Sequence, residues 1–93
     1  MAAEKVQKHI YLSGRVQGVG FRAFTQRQAS VLDIKGWVKN LTDGRVEAVI
    51  QGEKTKVKQM IQKLKSGPSY ARVDNIEVKE QELDEFNSFD ITF

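Results

Sequence analysis

The order of strand-like and helix-like patterns along the chain constrains its fold more than any other feature. From Val6 to Ser13 apolar and polar residues alternate, with Ile10 and Leu12 on one face, as in a strand with one buried face. Apolar residues then recur at helical spacing, which predicts a helix from about Phe21 to Leu32. The chain therefore begins with a strand followed by a helix.

Two further extended runs form a predicted hairpin. KGWVKN (residues 35–40) and RVEAVIQGE (residues 45–53) are separated by LTDG, whose Asp43-Gly44 pair favours a tight turn because glycine readily takes positive φ. A second helix follows and stops near Gly67 and Pro68. Its apolar residues lie three and four positions apart: Val57, Met60, Ile61 and Leu64.

Two short alternating patterns complete the chain. Ile76 and Val78 indicate a fourth strand, and Phe89, Ile91 and Phe93 indicate a short last one. With right-handed crossovers, this βαββαβ order predicts an α+β ferredoxin-like sandwich, an antiparallel sheet covered by two helices on one face. Strands one and two then run in the same direction with strand three between them. Their C-terminal ends share one edge of the sheet, about 10 Å apart.

Size and composition narrow the class of protein. With 93 residues, 40% hydrophobic and 29% charged, residues 1–93 are expected to form a single domain. The chain has no cysteine, which removes disulfides and thiolate nucleophiles, and its only histidine, His9, cannot build a metal site alone. The N-terminus shows no signal peptide or membrane span, which predicts a cytoplasmic protein. A net charge of +3 favours anionic partners but falls short of a nucleic-acid binder's basic stripe.

A glycine-rich stretch, GRVQGVGFR (residues 14–22), joins the first strand to the first helix. Such a turn exposes consecutive backbone N–H groups, and the helix N-terminus adds a partial positive charge, so the two together can cradle a phosphate. Neither the P-loop spacing nor the dinucleotide fingerprint is present. A tight turn without a ligand is an equal alternative on these residues alone.

Arg22 and Asn40 are the candidate site side chains. A cation in the first turn of a helix opposes the macrodipole at a cost of about 0.3–1 kcal/mol, so Arg22 suggests a nearby anion, with a solvated surface arginine as the alternative. Asn40 ends strand two at the same edge, where an amide can orient a water or simply begin a turn. Such a site, without thiol or nearby imidazole, suits an acyl phosphate, whose hydrolysis needs charge stabilisation and positioning more than a strong base.

Two long stretches resemble the signatures of the acylphosphatase family. LSGRVQGVGFR (residues 12–22) matches the first signature at every fixed position, and GWVKNLTDGRVEAVIQG (residues 36–52) matches the second. GPSYARVDNIEV (residues 67–78) resembles the family's segment before the fourth strand, so the similarity covers nearly the whole chain. The resemblance implies a hydrolase that cleaves the carboxyl-phosphate anhydride bond of acyl phosphates without metal or cofactor.

The resemblance also implies roles for individual residues. Arg22 is expected to bind the phosphoryl group and Asn40 to orient the attacking water, with no protein group assigned as general base. The expected partners are small-molecule acyl phosphates, with inorganic phosphate as product and inhibitor, and the chain is expected to act as a monomer without nucleic acid or membrane. His9 is expected to be a strand-face residue. The residues expected to form the phosphate cradle are Arg15, Val16, Gln17, Gly18, Val19 and Gly20.

Two alternatives come from other classes of protein. An RNA-binding module shares the βαββαβ layout, but its stacking aromatics lie on the third strand, and RVEAVIQGE has none. Phe21 and Phe24 share helical spacing and are expected in the core instead. The second alternative is a non-catalytic interaction domain, as in larger hydrogenase-maturation proteins that handle carbamoyl phosphate and carry cysteine-rich zinc segments. The lack of cysteine disfavours it, and a turnover measurement separates the two.

Overall fold

Five strands and two helices follow one another in the predicted order. A computed structural model describes residues 4–93. The predicted order βαββαβ with a short last strand is confirmed, although the first strand is three residues longer than predicted and the third begins one residue later. The elements are β1 (Lys5–Arg15), α1 (Phe21–Leu32), β2 (Lys35–Asn40), β3 (Val46–Glu53), α2 (Lys54–Ser66), β4 (Arg72–Gln81) and β5 (Phe89–Ile91).

The strands form one sheet in the order β4-β1-β3-β2-β5. β3 lies between β1 and β2 and is antiparallel to both, so β1 and β2 end at the same edge, as predicted. The sheet is mixed rather than wholly antiparallel, because β5 pairs parallel to β2. β4 and β5 are the two outermost strands of the sheet. Residues 82–88 connect them, and β5 then runs beside β2 in the same direction.

Both helices pack on one face of this sheet and enclose the core. Phe21 is buried and Phe24 packs against the core, which confirms that these aromatics do not lie on the open sheet face. Alternate residues of β1 and β3 supply the sheet side, because successive side chains of a strand point to opposite faces. The buried core residues include Ile10, Leu12, Ala48, Ile50, Ala29, Val57, Met60 and Leu64.

The opposite face of the sheet carries polar contacts. Gln51 Nε2 donates to the main-chain oxygen of Asp84 at 2.7 Å, and the Asp84 N–H donates to Gln7 Oε1 at 2.8 Å, so the crossing segment is tied to the sheet. His9 lies on this face with its Nε2 2.6 Å from Glu47 Oε2. His9 is therefore a strand-face residue, as expected.

Candidate active site

A cavity of about 280 Å³ opens where the glycine-rich turn meets the end of β2. The turn leaves β1 and starts α1, and Asn40 ends β2 at the same edge of the sheet, which is the arrangement predicted from the order of elements. The last residues of the chain complete the rim. The cavity is lined by Val16, Gly18, Gly20, Phe21, Arg22, Ala23, Asn40, Ile91 and Phe93.

The backbone of the turn is held in conformations that favour glycine. Gly18 and Gly20 have φ of 72° and 78°, in the left-handed region. Gly20 is also the residue that precedes α1, and neither a capping side chain nor an acidic residue of the first turn satisfies the start of this helix. The free N–H groups of a helix start carry a partial positive charge, so this end of the cavity is suited to an anion.

Gln17 fixes the turn to the β2–β3 connection. Its Nε2 donates to the carbonyl oxygen of Leu41 at 2.7 Å and to that of Arg45 at 2.9 Å. Leu41 directly follows Asn40, so the two hydrogen bonds join the glycine-rich turn to the segment that carries the amide. The side chain of Gln17 therefore ties the two segments together, a contact that the sequence pattern did not reveal.

Arg22 lies half-buried in the first turn of α1 and lines the cavity. Its guanidinium carbon is 5.3 Å from the centre of the Phe93 ring, a cation–π contact. Within residues 4–93 no carboxylate forms an ion pair with Arg22. The guanidinium thus adds a positive charge beside the helix start without an acidic partner in the described structure.

The nearby Arg45 is occupied differently. Its Nε donates to Asp43 at 2.9 Å, and its guanidinium carbon lies 4.8 Å from the Tyr11 ring centre. The backbone N–H and side chain of Arg45 lower the pKa of the Asp43 carboxyl. Arg22 is therefore the only cationic side chain among the described residues that line this cavity.

Asn40 presents an unsatisfied acceptor to the same region. Its Oδ1 is buried and accepts no hydrogen bond from any of residues 4–93. A buried polar atom without a hydrogen bond lowers the stability of the folded state by about 1–3 kcal/mol. Such an atom in a cavity therefore favours binding of a polar ligand. The amide oxygen is free to accept a hydrogen bond from a small polar molecule such as water.

The structure brings most of the predicted site residues together, but not all. Arg15 is exposed at the end of β1, opposite Arg72, and does not line the cavity. Val19 is half-buried and packs against the core, and the amide of Gln17 is turned toward main-chain carbonyls. The predicted residues that do line the cavity are Val16, Gly18, Gly20, Arg22 and Asn40.

Sequence reasoning missed part of the apolar lining of the cavity. Ala23, Ile91 and Phe93 line it, and the last two come from the end of the chain. The alternation at residues 89–93 predicted the strand but could not show that it pairs with β2. Which strand a short last strand pairs with depends on the path of the segment that precedes it.

A metal centre needs a cluster of ligands, and a membrane span needs a long apolar helix. Between residues 4 and 93 no three histidine, aspartate or glutamate side chains are grouped as they would be around a metal ion. Over the same range, neither helix has the length and apolar character needed to cross a membrane.

The fold and the cavity define a ferredoxin-like α+β protein with a glycine-rich, cationic site at one sheet edge. Residues 8–91 match the family model described as acylphosphatase. The chain is 48% identical over 91 residues to an acylphosphatase of Syntrophobacter fumaroxidans, covering 97% of this chain and 94% of that protein. The chain therefore belongs to the acylphosphatase family, which confirms both the resemblance and the prediction of an enzyme of this class.

Solved structures agree with this assignment. The crystal structure of an acylphosphatase from Bacillus subtilis superposes with a TM-score of 0.92 at 38% identity, covering 95% of this chain and 99% of that one. Full-length HypF, solved in its phosphate- and nucleotide-bound form, matches with a TM-score of 0.90 at 29% identity. That match covers 100% of this chain but 12% of HypF, so the similarity is to one part of a much larger protein.

Proposed function

We propose that the chain hydrolyses the carboxyl-phosphate anhydride bond of acyl phosphates to a carboxylate and inorganic phosphate, without a metal. The observation that carries this proposal is the meeting of Arg22 and the unpaired Oδ1 of Asn40 in one cavity, beside the uncapped start of α1. A cation and free N–H groups suit the phosphoryl group, and an acceptor suits the water that attacks it.

The proposed reaction divides binding and positioning between these groups. Backbone N–H groups of residues 16–20, in the turn that follows β1, and the guanidinium of Arg22 donate to the non-bridging phosphoryl oxygens. A water molecule donates one hydrogen bond to Oδ1 of Asn40 and attacks phosphorus in line with the bond to the acyl oxygen. The P–O bond breaks, its electrons leave on the carboxylate, and the proton of the water passes to a phosphate oxygen.

These groups are sufficient because of the leaving group. A carboxylate leaves readily and the transition state is loose, so positioning and charge stabilisation account for most of the catalysis. The charge on the equatorial oxygens is stabilised by Arg22, whose planar guanidinium can bind two of them together. An amide cannot remove a proton, so Asn40 acts by orienting the water.

The proposal extends to the form in which the enzyme works. Residues 1–93 would act as a single acylphosphatase domain and as a monomer in the cytoplasm. A sequence without cysteine is compatible with the reducing conditions of the cytoplasm. Its partners would be small-molecule acyl phosphates and inorganic phosphate, with neither nucleic acid nor membrane involved. The third strand, which carries the stacking aromatics in RNA-binding modules, has no aromatic residue here.

The decisive experiment is hydrolysis of benzoyl phosphate in the presence of EDTA, with phenyl phosphate measured in parallel. Rapid loss of benzoyl phosphate with little loss of phenyl phosphate supports the proposed reaction. A requirement for added metal refutes the metal-free mechanism. Absence of turnover with retained phosphate binding would instead favour a non-catalytic interaction domain.

A pair of arginine variants tests the phosphate site directly. Arg22→Lys is expected to lower kcat/KM by about 10²–10³ and to weaken competitive inhibition by phosphate, because lysine cannot bind two oxygens with a planar fork. Arg27→Lys is the matched control, since Arg27 is exposed on the same helix and does not line the cavity. Equal effects of the two substitutions would show that Arg22 does not bind the phosphoryl group.

A further inference from the structure

The apolar side of the cavity comes from the end of the chain. Ile91 pairs with Val38 of β2, and the Thr92 N–H donates to the Val38 carbonyl at 2.9 Å, so the chain stays beside β2 beyond the end of β5. Asn40 and Phe93, each two residues beyond this pair, both line the cavity. Because residues two apart in an extended chain share a face, Ile91 and Phe93 lie on the same side.

The Phe93 ring is exposed although it belongs to this cavity. The residue is 100% exposed, and the centre of its ring is 5.3 Å from the guanidinium carbon of Arg22. The ring thus stands at the mouth of the cavity beside the group assigned to the phosphate. Ala23, in the first turn of α1, also lines the cavity.

The chemistry of these side chains differs from that of the phosphate end. Ala23, Ile91 and Phe93 offer no hydrogen-bonding side chain, whereas Arg22 and Asn40 supply the charge and the polar atoms. A substrate held by its phosphoryl group must extend its acyl group out through the mouth. An apolar acyl group gains contact there, while a charged one loses water without a partner in these side chains.

We propose that Phe93, with Ile91 and Ala23, forms the acyl-binding wall of this site and selects aromatic and other apolar acyl phosphates over small or charged ones. This inference rests on the proposed hydrolysis of acyl phosphates and adds the class of acyl group. Phe93 acts by contact with the substrate, which distinguishes it from a residue that only holds Arg22 in place.

The test compares how wild type, Phe93→Ala and Tyr70→Ala bind ligands that differ in their acyl group. Tyr70 is the matched control because it is an aromatic residue that is 80% exposed and does not line the cavity. The probes are inorganic phosphate, acetylphosphonate and benzoylphosphonate, whose carbon–phosphorus bond is not hydrolysed. Dissociation constants are measured by titration calorimetry, and kcat/KM is measured with acetyl phosphate and benzoyl phosphate.

Wild type and Tyr70→Ala are expected to bind benzoylphosphonate about tenfold more tightly than acetylphosphonate, and Phe93→Ala is expected to lose this preference. The ratio of kcat/KM for the two acyl phosphates should change in parallel, with phosphate affinity nearly unchanged. Equal weakening of all three ligands by Phe93→Ala would overturn the proposal, because the ring would then act only through Arg22. An unchanged preference would overturn it as well.

The binding measurements keep this inference separate from the proposed function. If neither acyl phosphate is hydrolysed but the phosphonate preference depends on Phe93, hydrolysis is refuted and the acyl-binding wall is supported. If both acyl phosphates are hydrolysed and the preference does not depend on Phe93, hydrolysis stands and the wall is refuted.

Discussion

Gly14 and Gly18 belong to the same glycine-rich stretch, yet the structure predicts very different effects of adding a methyl group. A Cβ on Gly14 would lie 2.2 Å from the carbonyl oxygen of Arg72 and 2.8 Å from the backbone nitrogen of Asp74. Both atoms belong to the backbone of β4, which pairs with β1 and cannot move aside cheaply. A Cβ on Gly18 would meet nothing within 4 Å.

The expected cost follows from backbone strain and crowding. Gly14 has a φ of 124°, outside the region that alanine adopts, which costs about 1–3 kcal/mol. Overpacking adds about 1–3 kcal/mol, so Gly14→Ala should lower the free energy of unfolding by about 4 kcal/mol. Gly18→Ala has only the cost of a left-handed backbone at a φ of 72°, about 1 kcal/mol.

Thermal unfolding followed by circular dichroism measures the difference. In a domain of this size, a loss of 1 kcal/mol lowers Tm by about 4–8 °C. Gly14→Ala should therefore lower Tm by about 16–32 °C and Gly18→Ala by about 4–8 °C. If Gly14→Ala loses no more than Gly18→Ala, the close approach of β1 to β4 at this position does not restrict the side chain, and the reasoning fails.

Three further predictions concern the site and its surroundings. Asn40→Ala should lower kcat by about 10²-fold while phosphate inhibition persists. A parallel collapse of phosphate affinity would instead make Asn40 a ligand of the anion or a determinant of the fold. Gln17→Ala removes two hydrogen bonds to the β2–β3 connection. It should therefore lower the free energy of unfolding, measured by urea titration, by about 1–2 kcal/mol and weaken inhibition by phosphate. Unchanged inhibition would exclude a positioning role for Gln17. Burial raises the pKa of Glu47, but hydrogen bonds from His9 and Tyr11 outweigh burial and leave the pKa below 4.5. The ionised Glu47 carboxylate therefore stabilises the folded state above pH 4.5. This contribution to the free energy of unfolding should be lost as the pH falls through the pKa of Glu47 in the folded protein. Urea midpoints of Glu47→Gln should therefore fall less steeply below pH 4.5 than those of wild type, and identical slopes would contradict this account.

Periodicity and chirality were enough to predict most of the fold. Alternation and helical spacing gave the elements, and right-handed crossovers left one arrangement in which β1 and β2 end at the same edge. The meeting of the glycine-rich turn with Asn40 follows from that arrangement, before any side chain is placed. This is why Arg22 and Asn40 could be paired as candidates from the sequence.

Other features depend on contacts that no local pattern encodes. β5 has three residues, and its parallel pairing with β2 depends on how residues 82–88 cross the sheet. The hydrogen bonds of Gln17 depend on the path of the β2–β3 connection. Gly14 also belongs to the glycine-rich stretch of the sequence, whereas its surroundings are the backbone of β4.

The pairing of β5 has a consequence for local stability. β5 is an edge strand of the sheet and is bonded on one side to β2. Its three residues are flanked by hydrogen bonds from the Gly36 N–H to the Ser88 carbonyl and from the Thr92 N–H to the Val38 carbonyl. Edge segments of this length open by local fluctuation at a lower free energy than the central strands. A ligand that contacts Phe93 would slow hydrogen exchange at the Thr92 amide far more than at the amides of β3, so this short edge segment would report occupancy of the site.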